Sequence, residues 1–269
     1  MCDATGAPRG EATVGLAELF DLEGRVAVVT GGSRGIGYAV ARGFAAAGAD
    51  VVIASRKLEA CQEAAGRIAR ESGRRAVPIG CHVGRWADCD RLVDEVYAAF
   101  GRCDVLVNNA GMSPLYPDLP SVTEDYFDKV VGVNLKGPFR LGALAGDRMA
   151  AAGGGSIINV STIGSLRPGA GELVYACAKA GLNALTIGLA EAYGPAVRSN
   201  GILPGGVLTD IADAWTPERR EQAAHATTLG RAGTADDFVG TALWLASPAS
   251  AWVSGTLIRV DGGAYRQTS

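Results

Sequence analysis

The chain alternates short, nearly unbroken apolar runs with longer alanine-rich segments in which bulky and polar residues recur at helical spacing. The apolar runs are rich in valine and isoleucine and are bounded by glycine and charged residues, the pattern of strands buried on both faces. They fall at residues 25–30, 51–54, 76–79, 105–107, 156–160, 197–202 and 256–260. Between them the spacing predicts helices over 36–47, 58–71, 86–100 and 123–152. Strand–helix–strand at this rhythm predicts an α/β fold, a doubly wound parallel seven-stranded sheet with helices on both faces. No linker-like stretch or repeat divides the sequence, so residues 21–269 are expected to form one domain. Residues 1–20, polar and rich in glycine and alanine, are expected to be a loosely ordered lead-in.

Composition narrows the partners. Of 269 residues 20% are charged, and the net charge is −3. Nucleic acids and anionic membranes select clustered basic charge, so neither is an expected partner. No apolar run approaches the roughly 20 residues that span a bilayer. The start, Met1-Cys2-Asp3-Ala4-Thr5-Gly6, has neither the basic nor the apolar region of a signal peptide. A soluble, cytoplasmic protein is expected. Six cysteines, Cys2, Cys61, Cys81, Cys89, Cys103 and Cys177, are scattered without a C-x-x-C pair and read as free thiols. With only His82 and His225 to join them, neither a metal site nor a Ser-His-Asp triad is expected.

The first candidate chemistry follows the first strand, in Thr30-Gly31-Gly32-Ser33-Arg34-Gly35-Ile36-Gly37. A glycine-rich turn running into a helix lets backbone approach a diphosphate and offers it the free N–H groups of the helix start. The turn therefore implies a Rossmann-type dinucleotide site, with Gly31, Ser33, Arg34, Gly35, Ile36 and Gly37 as its cradle. Folds that prefer NAD usually end the second strand on an acidic residue, which takes the ribose 2′-hydroxyl. Here that strand ends in Ser55-Arg56, without a carboxylate, and Arg34 stands on the glycine turn. Two guanidinium groups near the 2′ position suit a phosphate, so NADP(H) is the expected cofactor. Asn108-Asn109-Ala110-Gly111 falls at the end of the fourth strand, beside the switch in strand order where such sheets bind ligands.

A second candidate is the pair Tyr175 and Lys179. On a helix, a spacing of four puts both side chains on one face. Tyrosine has a pKa near 10, and lowering it to about 7 takes roughly 4 kcal/mol, about what one unit charge at 4 Å supplies near a protein surface. One lysine is then expected to do most of the tuning.

Taken together, Thr30-Gly31-x-x-x-Gly35-x-Gly37, Asn108-Asn109-Ala110-Gly111, Asn134, Tyr175-x-x-x-Lys179, Pro204-Gly205 and Asp261-Gly262-Gly263 resemble the short-chain dehydrogenase/reductase family in its single-domain form. The resemblance runs from about Leu22 to Gly263. It implies that Tyr175 is the general acid in carbonyl reduction and the base in alcohol oxidation. Lys179 would hold the nicotinamide ribose and depress the tyrosine pKa, and Asn134 would support a water that relays protons to Lys179. Cofactor contacts are implied at His82, Val83, Asn109, Ala110, Gly111, Tyr175, Lys179, Pro204, Gly205, Val207 and Thr209.

Two positions depart from the family pattern. The family usually has a carbonyl-polarising serine thirteen residues before the tyrosine, and that position is Thr162. Its hydroxyl has the same hydrogen-bonding capacity, with Ser161, after a one-residue loop shift, as the alternative. An aspartate is common near His82, contacting the adenine amino group; a neutral imidazole is expected to accept that hydrogen bond instead. The family's substrate lid falls near residues 206–226, where Val207, Leu208, Ile211 and Trp215 share a helical face; that stripe either packs on the body or faces the pocket, and only in the pocket does it imply an apolar substrate portion. Met112, Leu115 and Tyr116 are expected to line the same cavity. The first-choice activity is reduction of a 3-oxoacyl thioester of acyl carrier protein or coenzyme A. The alternative is an alcohol dehydrogenase or ketone reductase acting on a steroid, sugar or small cyclic ketone, and a third is a dinucleotide-binding protein that has lost its chemistry. The family usually forms homotetramers (or homodimers), and alanine-rich faces over 123–152 and 175–193 permit such packing.

Overall fold

β1 (Val26–Thr30) is buried at every position, as a central strand covered on both faces must be. β2 (Asp50–Ser55) and β3 (Ala76–Gly80) lie to one side of it, and β4 (Val105–Asn108), β5 (Gly155–Val160) and β6 (Val197–Pro204) to the other. The structure is a computed structural model that describes residues 15–208 and 225–265. A two-residue pair, β7 (Val207–Leu208) with β8 (Gly233–Thr234), stands apart, and β9 (Leu257–Val260) closes the main sheet. Its order is β3-β2-β1-β4-β5-β6-β9, every neighbouring pair parallel. This is the doubly wound, Rossmann-like sheet that the sequence predicts. Strand order switches direction at β1, so the sheet splays at the carboxyl ends of β1 and β4, where such folds hold ligands.

The helices are α1 (Leu16–Leu19), α2 (Gly35–Ala46), α3 (Leu58–Ser72), α4 (Trp86–Phe100), α5 (Glu124–Val131), α6 (Gly137–Ala151), α7 (Leu173–Tyr193) and α8 (Val239–Ala246). Phe44 of α2, Ile68 of α3 and Leu245 of α8 pack with Val29, Val51 and Ile53 on one face of the sheet. Leu92 of α4, Leu141 and Met149 of α6 and Leu189 of α7 pack with Val28, Val52 and Ile157 on the other. Each such fully buried side chain contributes about 1.5–3 kcal/mol, and this two-faced core is what fixes the strand ends relative to one another.

Three features differ from the sequence reading. Residues 16–19, inside the expected loose lead-in, form a helical turn, whereas residues 1–14 lie outside the described residues. The helix expected over 123–152 is interrupted by a π turn at Gly132–Lys136. Finally, α7 with its preceding turn (Ala170–Tyr193, 24 residues, an 18-residue window of which has a mean hydropathy of 1.4) is long and apolar enough to cross a membrane, contrary to the expectation that no such stretch exists. Its Val174, Leu182 and Leu189 are nevertheless buried in the protein and its first turns carry Tyr175 and Lys179, so the apolarity serves the core.

Candidate active site

Thr30 ends β1, and its hydroxyl ties two loops together. It donates to Val107 O (3.1 Å) and accepts the backbone N–H groups of Asn109 (3.0 Å) and Ala110 (3.1 Å). The Asn109 amide in turn donates to Thr30 O (2.9 Å) and Gly31 O (3.2 Å). Asn109, expected among the cofactor contacts, thus spends its side-chain donors on holding the glycine turn. Sequence reasoning placed Thr30 in the motif but gave its hydroxyl no role.

The turn requires glycine twice over. Gly31 and Gly35 have φ of 64° and 56°, the left-handed region. A Cβ on Gly37 would lie 2.4 Å from both Gly31 O and Asn109 Nδ2. Arg34 caps α2 with extended backbone, no side chain caps that helix start, and its first turn has no acidic residue. Unclaimed N–H groups behind a glycine cradle fit a diphosphate. Ile36 packs into the core, so it anchors the turn, and Ser33 is half-buried on it.

At the end of β2, Ser55 Oγ lies 3.0 Å from Cys61 Sγ, turned inward, whereas Arg56 is exposed. At the end of β3 the structure revises the histidine. His82 Nδ1 accepts the backbone N–H of Gly84 (3.2 Å), which leaves Nε2 as the protonated nitrogen. With Nδ1 so engaged, the nitrogen that remains is a donor, not the acceptor expected for an adenine amino group. Val83 is buried, and a Cβ on Gly137 would lie 2.3 Å from its carbonyl oxygen, so that loop is pressed against α6. Pro204 ends β6, and a Cβ on Gly205 would lie 2.9 Å from Asp261 Cα. Val207 is half-buried against the core. Thr209, Ile211, Trp215 and most of the expected lid lie outside the described residues.

Asn134 sits, fully buried, in the π turn. Its amide donates to Met112 O (2.8 Å) and Val130 O (2.9 Å), and its Oδ1 accepts from Met112 N (3.3 Å). Its side chain therefore fastens the segment after β4. A Cβ on Gly111 would lie 3.1 Å from Asn134 Oδ1 and 3.7 Å from Lys179 Nζ, so Gly111 brings these two side chains to one place. Met112 and Tyr116 are half-buried and Leu115 is exposed on this segment.

Lys179 Nζ donates to Val160 O (2.7 Å) at the end of β5 and lies 5.7 Å from the centre of the Tyr175 ring. Burial lowers the lysine pKa to about 7. Burial, and then the charge of Glu172, push the Tyr175 phenol up. Burial thus favours the neutral form of both groups, opposing the tuning expected from the lysine charge.

The structure separates the two hydroxyl candidates. Ser161 is 4% exposed, and its Oγ donates to Lys179 O (3.2 Å). Thr162 is half-buried, and its Oγ1 accepts from Gly164 N (3.1 Å), which leaves its own O–H to donate. Behind them, Asn183 Nδ2 donates to Ser165 Oγ (2.8 Å), which donates to Thr162 O (2.6 Å). Neither Ser165 nor Asn183 stands out in the sequence, because their link closes across a loop and a helix.

A family profile described as Enoyl-(Acyl carrier protein) reductase matches residues 31–265. A short chain dehydrogenase/reductase, astE of Aspergillus oryzae, is 36% identical over 255 residues, spanning 93% of this chain and 98% of that protein. The chain belongs to the short-chain dehydrogenase/reductase family. An L-rhamnose 1-dehydrogenase (NAD(P)(+)) of Azotobacter vinelandii is 40% identical over 90% of this chain and 96% of that protein. An NADPH-dependent 3-quinuclidinone reductase of Rhodotorula rubra superposes with a TM-score of 0.86 at 28% identity, over 96% of this chain and 99% of that one. As a short-chain dehydrogenase/reductase, the protein is an oxidoreductase of alcohols and carbonyls that uses a nicotinamide dinucleotide, and the glycine cradle fits that group.

Proposed function

We propose that the protein is an NADP(H)-linked oxidoreductase that moves a hydride between nicotinamide and a carbonyl or secondary alcohol. The carrying observation is a phenol, Tyr175, whose pKa burial raises, one helical turn from Lys179, together with a hydroxyl on the loop after β5, Thr162, that is free to donate. The bound nicotinamide supplies or accepts the hydride. In reduction, Tyr175 gives its proton to the substrate oxygen while Thr162 donates a hydrogen bond to it; in oxidation, the tyrosinate takes the proton back.

Two substrate readings stand. The profile's description points only to an acyl thioester, of which the 3-oxoacyl form carries the carbonyl that this site would reduce, whereas a sugar or small cyclic ketone is supported by the rhamnose dehydrogenase and the quinuclidinone reductase. The test is consumption of NADPH with 3-oxoacyl thioesters, hydroxylated ketones and cyclic ketones. In that assay Thr162→Val is expected to cost about 10²–10³-fold, the worth of one donor to a developing oxyanion, and Ser161→Ala far less. The reverse order would move the carbonyl donor to Ser161, and no turnover of any carbonyl would sink the reading.

The preference for NADP(H) rests on Arg56, exposed at the end of β2, with no carboxylate before Glu59. One charge-assisted hydrogen bond to a 2′-phosphate is worth roughly 10–100-fold in affinity. Titration is expected to show NADPH binding tighter than NADH by that order, with most of the difference gone in Arg56→Ala. Equal affinities in the wild type would show that NADP is not preferred.

A further inference from the structure

Glu172 is a carboxylate that the hydride-transfer chemistry does not use. It is half-buried at the cap of α7, one turn before Tyr175, and its side chain caps nothing there. Its backbone N–H donates to Gly169 O (3.2 Å), but among the described residues no hydrogen bond or ion pair engages its carboxylate. The space left by the missing side chain of Gly164 lies 2.6 Å from Glu172 Oε1 and 3.5 Å from Thr162 Oγ1. The Glu172 carboxylate and the Thr162 hydroxyl therefore both flank Gly164, the carboxylate filling the place that a side chain there would take. The segment is held in place rather than loose: Tyr116 OH donates to Ala170 O and accepts from Leu173 N (2.8 Å), gripping the chain on both sides of Glu172.

A half-buried carboxylate near Thr162, the proposed donor to the reacting oxygen, discourages an apolar or anionic substituent there, since it would strip water from the carboxylate without replacing its hydrogen bonds. It favours a hydroxyl, which donates to the carboxylate in a charge-assisted bond. The geometry points to Glu172 as a specificity residue that accepts a hydrogen bond from a hydroxyl on the carbon next to the reacting carbonyl or carbinol, selecting an α-hydroxy ketone or vicinal diol. This rests on the oxidoreductase reading above and narrows its substrate to the hydroxylated class. The same carboxylate opposes ionisation of Tyr175, so it also affects the acid.

The test compares cyclohexanone, 2-hydroxycyclohexanone and the amino ketone 3-quinuclidinone as substrates of the wild type, Glu172→Gln and Glu172→Ala, with NADPH. The wild type is expected to favour the hydroxy ketone over the bare ketone by about 10–100-fold in kcat/KM, the worth of a hydrogen bond to a charged group. Glu172→Ala should bring the ratio near one, and Glu172→Gln, whose amide oxygen still accepts, should keep part of it. Glu172→Gln should also move the rise of alcohol oxidation to lower pH, which a purely structural residue would not do. A wild-type ratio near one, or a ratio unchanged in Glu172→Ala, overturns the inference while leaving the oxidoreductase reading intact. So does a preference for the amino ketone alone, since that marks a cation site. No turnover of any of the three, nor of thioesters, overturns both.

Discussion

Tyr175→Phe is expected to lower carbonyl reduction by about 10²–10⁴-fold, the usual worth of a positioned general acid. Cofactor affinity and fold should be nearly unchanged. The phenol oxygen makes no hydrogen bond among the described residues, so its removal orphans no partner, and the phenylalanine ring fills the same space. The pH dependence is a second readout. Burial first, and the Glu172 charge second, hold the phenol above its ordinary pKa. At neutral pH the group is thus protonated, ready to give a proton and not to take one. As far as Tyr175 sets the rate, reduction should be flat across neutral pH, and oxidation should climb with pH as tyrosinate forms. Steady-state rates in both directions between pH 6 and 10, with fluorescence titration of NADPH, check this. A phenylalanine variant that retains turnover, or that keeps the alkaline rise in oxidation, would assign the proton to another group.

The sheet was legible because its strands have nothing to hide. Val26 to Thr30 and Val51 to Ala54 are buried on both faces, so their sequence is apolar throughout and bounded sharply. The cofactor turn was legible for a related reason: only glycine takes the backbone of Gly31 and Gly35, and only glycine fits at Gly37. What escaped is what depends on partners distant in sequence. Nothing within Gly132-Val133-Asn134-Leu135-Lys136 announces a π turn; it accompanies the bonds that Asn134 makes to Met112, across the cleft. The roles of Ser161 and Thr162 depend on which hydroxyl meets Lys179 O, and the tautomer of His82 on the N–H of Gly84. The Tyr175–Lys179 pair is a different case. Spacing identified the two groups and their face, but the sign of their tuning depends on desolvation, which no spacing reports.

That desolvation makes Lys179→Met the most revealing substitution after Tyr175→Phe. The lysine is 2% exposed, and burial has moved its pKa from 10.5 to about 7. Between those values the unfolded chain holds a proton that the folded chain releases. Wild-type stability should therefore rise with pH across this window, by up to about 1.4 kcal/mol per unit. Above the unfolded pKa the cost vanishes, and as pH falls through the folded pKa it is present in full. Methionine keeps the apolar stem and has no proton to lose, although Val160 O loses a donor. The stability difference, wild type minus Lys179→Met, should thus increase by about 2 kcal/mol from pH 7 to pH 9. Urea unfolding at one fixed protein concentration measures it, and the common titrations of the two proteins cancel. Activity should fall by about 10²-fold or more in both directions, because the amine that lies 5.7 Å from the centre of the Tyr175 ring is gone. A flat difference would mean that the lysine stays charged in the fold. The phenol would then have a full positive neighbour, and the alkaline onset of oxidation expected for Tyr175 would have to move toward neutral pH.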